Sequence, residues 1–438
     1  MKVSVIGLGY LGVTHAVAMA ELGHEVIGVE PDPEKFSLLS SGVVPFHEPG
    51  LDAALNKALG SGKLKLSKQM DQSLTEVDLH FICVGTPQQI GSEAANTSYV
   101  FAAAKELAQY LRPESVVAGK STVPVGTASE LRAVMSEVAG FEVELAWNPE
   151  FLREGTALED SLRPDRIVVG SWTDHAVETI RECYQPILNL GTPFLVLDVP
   201  TAELVKVAAN AFLATKISFI NAMAEVSEAA GADAVALAQA IGYDERIGNK
   251  FLRTGIGFGG GCLPKDIRGF IARADELGVG SAVDFLKNVD AINLRRRDRV
   301  VALAKAELGE LSGKRVTVLG ISFKPDSDDL RDSPALEIAQ RLAKSGAEVT
   351  VHDPVSLAAL SAKEPSLGRE PDLIEALREA DLVILGTEWK QYREADPAVL
   401  GSVVNQKTVI DGRNVLDVSA WQAAGWKLIA LGRSIQNG

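Results

Sequence analysis

The chain of 438 residues is 46% apolar and 23% charged, with a formal net charge of −15 and three cysteines. That length holds about three ordinary domains, and the composition excludes a disordered chain or a small disulfide scaffold. The acidic balance argues against general binding to nucleic acid or anionic membrane. An odd cysteine count without CxxC spacing points to a reducing compartment; a cytoplasmic location and no metal are expected.

Lys2-Val-Ser-Val-Ile-Gly-Leu-Gly-Tyr-Leu-Gly12 reads as a buried strand entering a glycine-rich turn, followed by an alanine-rich helix and a second strand at 25–30. Residues 1–20 mimic a signal peptide, but Gly7, Gly9, Gly12, Thr14 and His15 interrupt the apolar run, so strand, turn and helix is the better reading. The turn is G-x-G-x-x-G in its required context: Gly7 permits the turn, Gly9 the approach of a pyrophosphate, and Gly12 close packing of helix on strand. Glu30 ends the second strand, where a carboxylate accepts from a ribose 2′-hydroxyl and repels a 2′-phosphate, so NAD is expected over NADP.

Buried strands within 78–87 and 116–124 end in Thr86 and in Ser121 and Thr122. Ligands bind beyond the carboxyl ends of such strands, although each residue is equally an ordinary turn or cap. In Asn148-Pro-Glu-Phe-Leu-Arg-Glu154 two carboxylates stand four apart and would share a face on a helical turn; exposed acids or a cap explain the spacing equally well. Residues 203–228 predict a long helix with Lys206 and Asn210 on one face, either a solvated stripe or two donors for one ligand. No segment offers about 18 uninterrupted apolar residues, so no membrane span is expected.

Residues 255–266, Gly-Ile-Gly-Phe-Gly-Gly-Gly-Cys-Leu-Pro-Lys-Asp, bring five glycines up to Cys262. Glycines let the backbone turn tightly and let a ligand approach. Lys265 favours the thiolate and Asp266 is placed to move protons, so a nucleophile is a better reading than a buried structural cysteine. Residues 288–306 read as a charged helix whose Arg295-Arg-Arg297 is a solvated or interface face, and 311–314 as a linker.

The last part echoes the first. Residues 315–320, 347–354, 381–387 and 408–413 repeat the strands near 2, 25, 78 and 116, but the first turn lacks GxGxxG. In its place stands a loop carrying Lys324 and Arg331, donors suited to phosphates. The expected fold is α/β: an N-terminal Rossmann domain (1–199), a central helical, dimerising domain with the long helix and cysteine loop (200–311), and a C-terminal Rossmann-like domain (312–438). A cofactor on one side and a nucleotide-bearing substrate on the other would suit such a chain.

Over nearly its whole length the sequence resembles the UDP-glucose/GDP-mannose dehydrogenase family. The resemblance is carried by Gly7-Leu-Gly-Tyr-Leu-Gly12, Val84-Gly-Thr-Pro87, Lys120-Ser-Thr-Val-Pro124, Asn148–Glu154, Lys206, Asn210, the loop 257–266 and Phe323-Lys with Arg331. It implies oxidation of the C6 alcohol of a nucleotide sugar to a carboxylate with two NAD and one water. Cys262 would attack the C6 aldehyde to give a thiohemiacetal and then a thioester, which water hydrolyses. It also implies that Lys206 and Asn210 stabilise the oxyanion, Asp266 is the base, and Thr122 and Glu150 position water or relay protons. Tyr10, Leu11, Lys35, Thr86, Ser121, Thr122, Glu154, Lys265 and Arg331 join the glycines and Glu30 as implied cofactor residues. Implied sugar-nucleotide contacts are Glu150, Phe151, Leu152, Glu154, Lys206, Asn210, Phe251, Leu252, Arg253, Gly257, Phe258, Gly259, Lys324 and Arg413, with Arg246 reaching a neighbouring subunit's site.

Arg246-Ile-Gly-Asn-Lys-Phe-Leu252 resembles the UDP-glucose branch, so UDP-glucose is expected ahead of GDP-mannose or a UDP-N-acetylhexosamine, with a homodimer or larger homo-oligomer. Glu30 replaces the aspartate of many relatives, and residues 94–99 lack the usual acid before Ser-Tyr. Two other readings compete: a two-electron dehydrogenase of the 6-phosphogluconate or 3-hydroxyacyl type, which needs no cysteine, and a catalytically silent sensor, which could lose Cys262 or Lys206 without penalty.

Overall fold

The computed structural model describes residues 1–434, residues 362 and 363 by backbone alone, so the last four residues of the expected C-terminal domain lie outside the description. The chain divides into two compact units, Met1–Ala209 with Arg268–Gly280 and Asn210–Ile267 with Ser281–Gly438. Helix Val199–Ala230 leaves the first unit after Ala209, and helix Leu263–Glu276 re-enters it at Arg268.

The first unit is built on eight strands: β1 (Lys2–Ile6), β2 (Glu25–Val29), β3 (Leu64–Ser67), β4 (Leu79–Ile82), β5 (Val116–Gly119), β6 (Glu144–Trp147), β7 (Ile167–Ser171) and β8 (Phe194–Leu197). Their order is β3-β2-β1-β4-β5-β6-β7-β8, parallel throughout except where β7 runs antiparallel to β6. Short apolar runs buried on both faces, such as Leu-His-Phe-Ile in β4, suit a parallel sheet covered by helices. The order reverses at β1, where Ile6 is level with both Val29 and Ile82. The turn after β1, Glu30 and the segment leading to Thr86 therefore leave one sheet edge together, the crevice in which such folds bind ligands.

The second unit repeats the plan with β9 (Arg315–Leu319), β10 (Glu348–His352), β11 (Gly368–Arg369), β12 (Leu382–Leu385), β13 (Thr408–Asp411) and β14 (Lys427–Ala430). Their order is β11-β10-β9-β12-β13-β14, all parallel. Helices Ala234–Gly242 and Phe285–Leu308 belong to this unit. The α/β class, the two Rossmann-like sheets and the long helix are as expected.

Two local expectations are corrected. Residues 148–154 are not helical: Pro149 disfavours helical geometry at Asn148, and the Glu150 carboxylate takes the Leu152 N–H at 2.5 Å that a helix would use internally. The basic run is not a solvated face either, for Arg296 and Arg297 are 0% and 2% exposed and only Arg295 reaches solvent. Helix Val199–Ala230 is long and apolar enough to cross a membrane by length and composition. Its buried Glu203 and Lys206, however, are satisfied by protein groups of the first unit, as charges on a core helix must be.

Candidate active site

In the first unit the glycine fingerprint is built for a dinucleotide. A Cβ on Gly12 would stand 1.8 Å from the Gly7 carbonyl oxygen, so only glycine lets the helix pack on the strand turn. Gly9 precedes helix Tyr10–Glu21 with no side-chain cap and with open space where a Cβ would project, leaving the helix N-terminus open to a phosphate. Glu30 is 5% exposed; its Oε2 accepts from Leu8 N at 3.0 Å and its Oε1 from Asp32 N at 3.1 Å. Each oxygen keeps acceptor capacity for ribose hydroxyls. These residues fit NAD. Lys35 is exposed on helix Pro33–Ser40. Thr86 Oγ1 donates to the Thr122 carbonyl at 2.7 Å and Ser121 Oγ to the Val84 carbonyl at 2.6 Å, tying the ends of β4 and β5.

Lys206 Nζ lies 2.9 Å from Glu150 Oε1, with both side chains largely buried, and 5.7 Å from the Phe151 ring centroid. The segment that carries Glu150 is fixed by a group that the sequence placed in a family motif without assigning it a role. Buried Lys120 donates to Asn148 Oδ1 at 3.0 Å and Tyr184 Oη at 3.2 Å, while Asn148 Nδ2 donates to the Val168 carbonyl at 2.8 Å. Burial holds the Lys120 ammonium below its ordinary pKa. Sequence reasoning missed Glu203, which accepts from Gly126 N and Ala128 N, each at 2.8 Å, at the start of helix Thr127–Ala139; burial raises its pKa against those bonds.

The second unit holds the cysteine. Cys262 is exposed and immediately precedes helix Leu263–Glu276, its carbonyl accepting from Asp266 N at 2.9 Å. A helix N-terminus favours negative charge on the sulfur. Cys83 and Cys183 are buried thiols pushed up to about 12 by burial. Asp266, 4% exposed, accepts from Asn210 Nδ2 at 2.6 Å, and the Lys265 ammonium is ion-paired with it at 2.8 Å.

The loop itself is held from helix Phe285–Leu308. Asn293 Oδ1 accepts from Phe258 N at 2.7 Å and its Nδ2 donates to Phe258 O at 3.0 Å; a Cβ on Gly257 would come within 2.3 Å of that Oδ1. Arg296 Nε donates to Gly255 O at 3.1 Å, and Arg297 Nη2 to Asp332 O at 3.2 Å. The Arg331 guanidinium, bonded to Asp329, lies against Gly261 and Gly259 against the Asp332 carbonyl. Arg413 ties three loops through the carbonyls of Gly386, Gly257 and Phe323 at 2.7, 3.0 and 3.2 Å, and burial lowers its pKa while Glu388 opposes. Glu388, another residue the sequence did not reveal, lies 3.3 Å from Arg413 and 3.5 Å from Arg253. Lys324 lies over the Phe323 ring, Leu252 is buried, and Arg246 is exposed on Asp244. Phe251 has φ +62°, a strained backbone of the kind that collects at functional sites.

The fingerprint turn of the first unit fits a dinucleotide-dependent oxidoreductase. Matches to known proteins narrow this. The UDP-glucose/GDP-mannose dehydrogenase family is matched by its NAD binding domain over residues 1–188, its central domain over 200–295 and its UDP binding domain over 317–418. The chain belongs to that family. It is 39% identical to a UDP-glucose 6-dehydrogenase of Rhizobium meliloti (strain 1021), over 99% of this chain and 100% of that one. A UDP-glucose dehydrogenase structure from the hyperthermophilic archaeon Pyrobaculum islandicum superposes with a TM-score of 0.90 at 38% identity, covering 99% of this chain and 98% of that one. A UDP-D-ManNAc dehydrogenase structure from Pyrococcus horikoshii gives 0.85 at 25% identity, covering 99% of each.

Proposed function

We propose that the chain oxidises UDP-glucose at C6 to UDP-glucuronate, consuming two NAD and one water. The observation that carries this is the Cys262 thiol at a helix N-terminus with Asp266 bound to Asn210 and Lys265 beside it. Identity of 39% to a full-length UDP-glucose 6-dehydrogenase, against 25% to the UDP-D-ManNAc enzyme, supports the choice of sugar.

NAD, held by Gly7, Gly9, Gly12 and Glu30, supplies the two-electron acceptor for each oxidation. Asp266 accepts the proton lost from the C6 hydroxyl or from the attacking water. The Cys262 thiolate adds to the C6 aldehyde, forming a C–S bond and an alkoxide that Lys206 and Asn210 stabilise. Loss of two electrons and a proton from this thiohemiacetal gives the thioester. Water adds to its carbonyl, the C–S bond breaks, and the thiolate leaves as the carboxylate forms. Glu150 and Thr122 position that water. Glu154, Lys265, Ser121, Thr86, Tyr10, Leu11, Lys35 and Arg331 complete the cofactor's contacts. Phe151, Leu152, Phe251, Leu252, Arg253, Gly257, Phe258, Gly259, Lys324 and Arg413 hold the nucleotide sugar.

Domains of 1–199, 200–311 and 312–438, a homodimer or larger assembly with Arg246 serving the neighbouring subunit, and a cytoplasmic location complete the proposal. Steady-state kinetics with UDP-glucose, GDP-mannose and UDP-N-acetylglucosamine offered separately test the sugar. The reading expects the highest kcat/KM for UDP-glucose, by about tenfold or more; a higher value for another sugar would overturn it.

A further inference from the structure

Glu48 is an acid within Pro45-Phe-His-Glu-Pro-Gly50 and is only 5% exposed. A buried carboxylate must be hydrogen-bonded, and its donors reveal what it joins. Its Oε2 accepts from the Tyr10 hydroxyl and from Gly155 N at 2.6 Å, and its Oε1 accepts from Ala157 N at 2.7 Å. Tyr10 is the first residue of the helix behind the glycine fingerprint, and its ring packs 4.6 Å from that of Phe46. Gly155 follows Glu154, and Ala157 opens helix Ala157–Leu162, whose N-cap Thr156 makes no capping bond of its own.

We infer that Glu48 is a positioning residue that links the dinucleotide turn to the 150–157 segment, so that the cofactor turn and the first unit's share of the sugar-nucleotide contacts, Glu150 to Leu152, belong to one hydrogen-bonded assembly. For the sugar segment this rests on the proposed function. All three donors are neutral, and a carboxylate is the side chain that suits them, being acceptor-only on both oxygens. A glutamine would turn an NH₂ group toward at least one donor and leave a backbone N–H without its acceptor. Burial, then the bond to Glu48, raises the Tyr10 hydroxyl pKa, so it remains a donor near neutral pH and the link holds there.

The test compares Glu48→Gln, Tyr10→Phe and the double variant, reading NADH affinity by fluorescence titration without sugar, and KM and kcat for UDP-glucose. Glu48→Gln is expected to weaken both NADH binding and the KM for UDP-glucose about tenfold, with kcat changed less than about threefold. Tyr10→Phe moves both in the same direction by less, and the double variant is no worse than Glu48→Gln, because the two share one bond. Tyr10→Phe removes a donor without stranding a buried group, so it reports on the link even where Glu48→Gln folds poorly. Additive losses, a change confined to one ligand, or lowered melting temperature with both constants unmoved would overturn the inference. A wild-type protein that binds NADH yet oxidises no nucleotide sugar would instead count against the proposed function.

Discussion

The two sheets share one strand order over six strands and differ in what they do with the acid that ends the second strand. Beyond β2, Glu30 accepts two backbone N–H groups and keeps capacity for a ligand. Beyond β10, Asp353 is filled by its own chain: Oδ2 takes Ile321 N, Ser322 N and Ser322 Oγ, and Oδ1 takes Val355 N and Ser356 N. The turns differ to match. Helix Tyr10–Glu21 begins directly after Gly9, whereas Gly320 is followed by a long loop that ends at Ser333, the N-cap of helix Pro334–Lys344. In one sheet the acid keeps acceptor capacity that a ligand could use, and in the other it shapes the loop carrying Lys324 and Arg331. The same topology thus supplies two different sites, which is why function must be argued from the site.

Exchanging the chemistry of the two acids should give opposite readouts. Asp353→Asn leaves buried donors unmatched and is expected to cost about 3 kcal/mol in denaturant unfolding, the largest stability effect here. Acid should separate the units next. His80 is held at about 3 by burial against an ordinary 6.5, and burial also depresses His15 and His24 in the first unit and His352 in the second. Because the folded state keeps His80 neutral, its stabilisation is complete above pH 6.5 and is lost as pH falls from there toward 3. Each such histidine contributes a slope of up to about 1.4 kcal/mol per pH unit, so hydrogen exchange below about pH 5 should loosen the first unit's strands ahead of the second's. Loss of the second unit first would contradict that ordering. Glu30→Gln should raise the KM for NAD about tenfold and narrow the preference over NADP, with a loss of stability smaller than that of Asp353→Asn because one backbone N–H rather than several loses its acceptor. A loss of stability comparable to that of Asp353→Asn would erase the contrast. Smallest is Lys35→Ala, exposed and screened by salt, expected to raise the KM for NAD about twofold at low ionic strength.

The features readable in sequence were those set by local pattern. Short buried strands, glycines at fixed offsets and a long run without glycine or proline gave both sheets, the dinucleotide turn and helix Val199–Ala230. The burial of Arg296 and Arg297 was hidden because charge alone reads as solvated, while their partners are backbone carbonyls, Glu225 and Glu337, far along the chain. Glu48, and the contacts of Lys120 beyond its motif, were hidden for a similar reason: each is one polar residue whose partners lie far off in sequence, at Gly155 and Ala157 or at Tyr184. Residues 148–154 misled by spacing, since i,i+4 acids share a face only where a helix exists. The signal that could have flagged them is Asn148-Pro149, which disfavours a helix there.

Counting NADH released per UDP-glucose consumed, in the wild-type protein and in Cys262→Ala, tests whether the oxidation takes four electrons through the cysteine. Two NADH per sugar are expected with the thiol present, and no acid product without it. One NADH per sugar, unchanged when the cysteine is removed, would contradict that expectation.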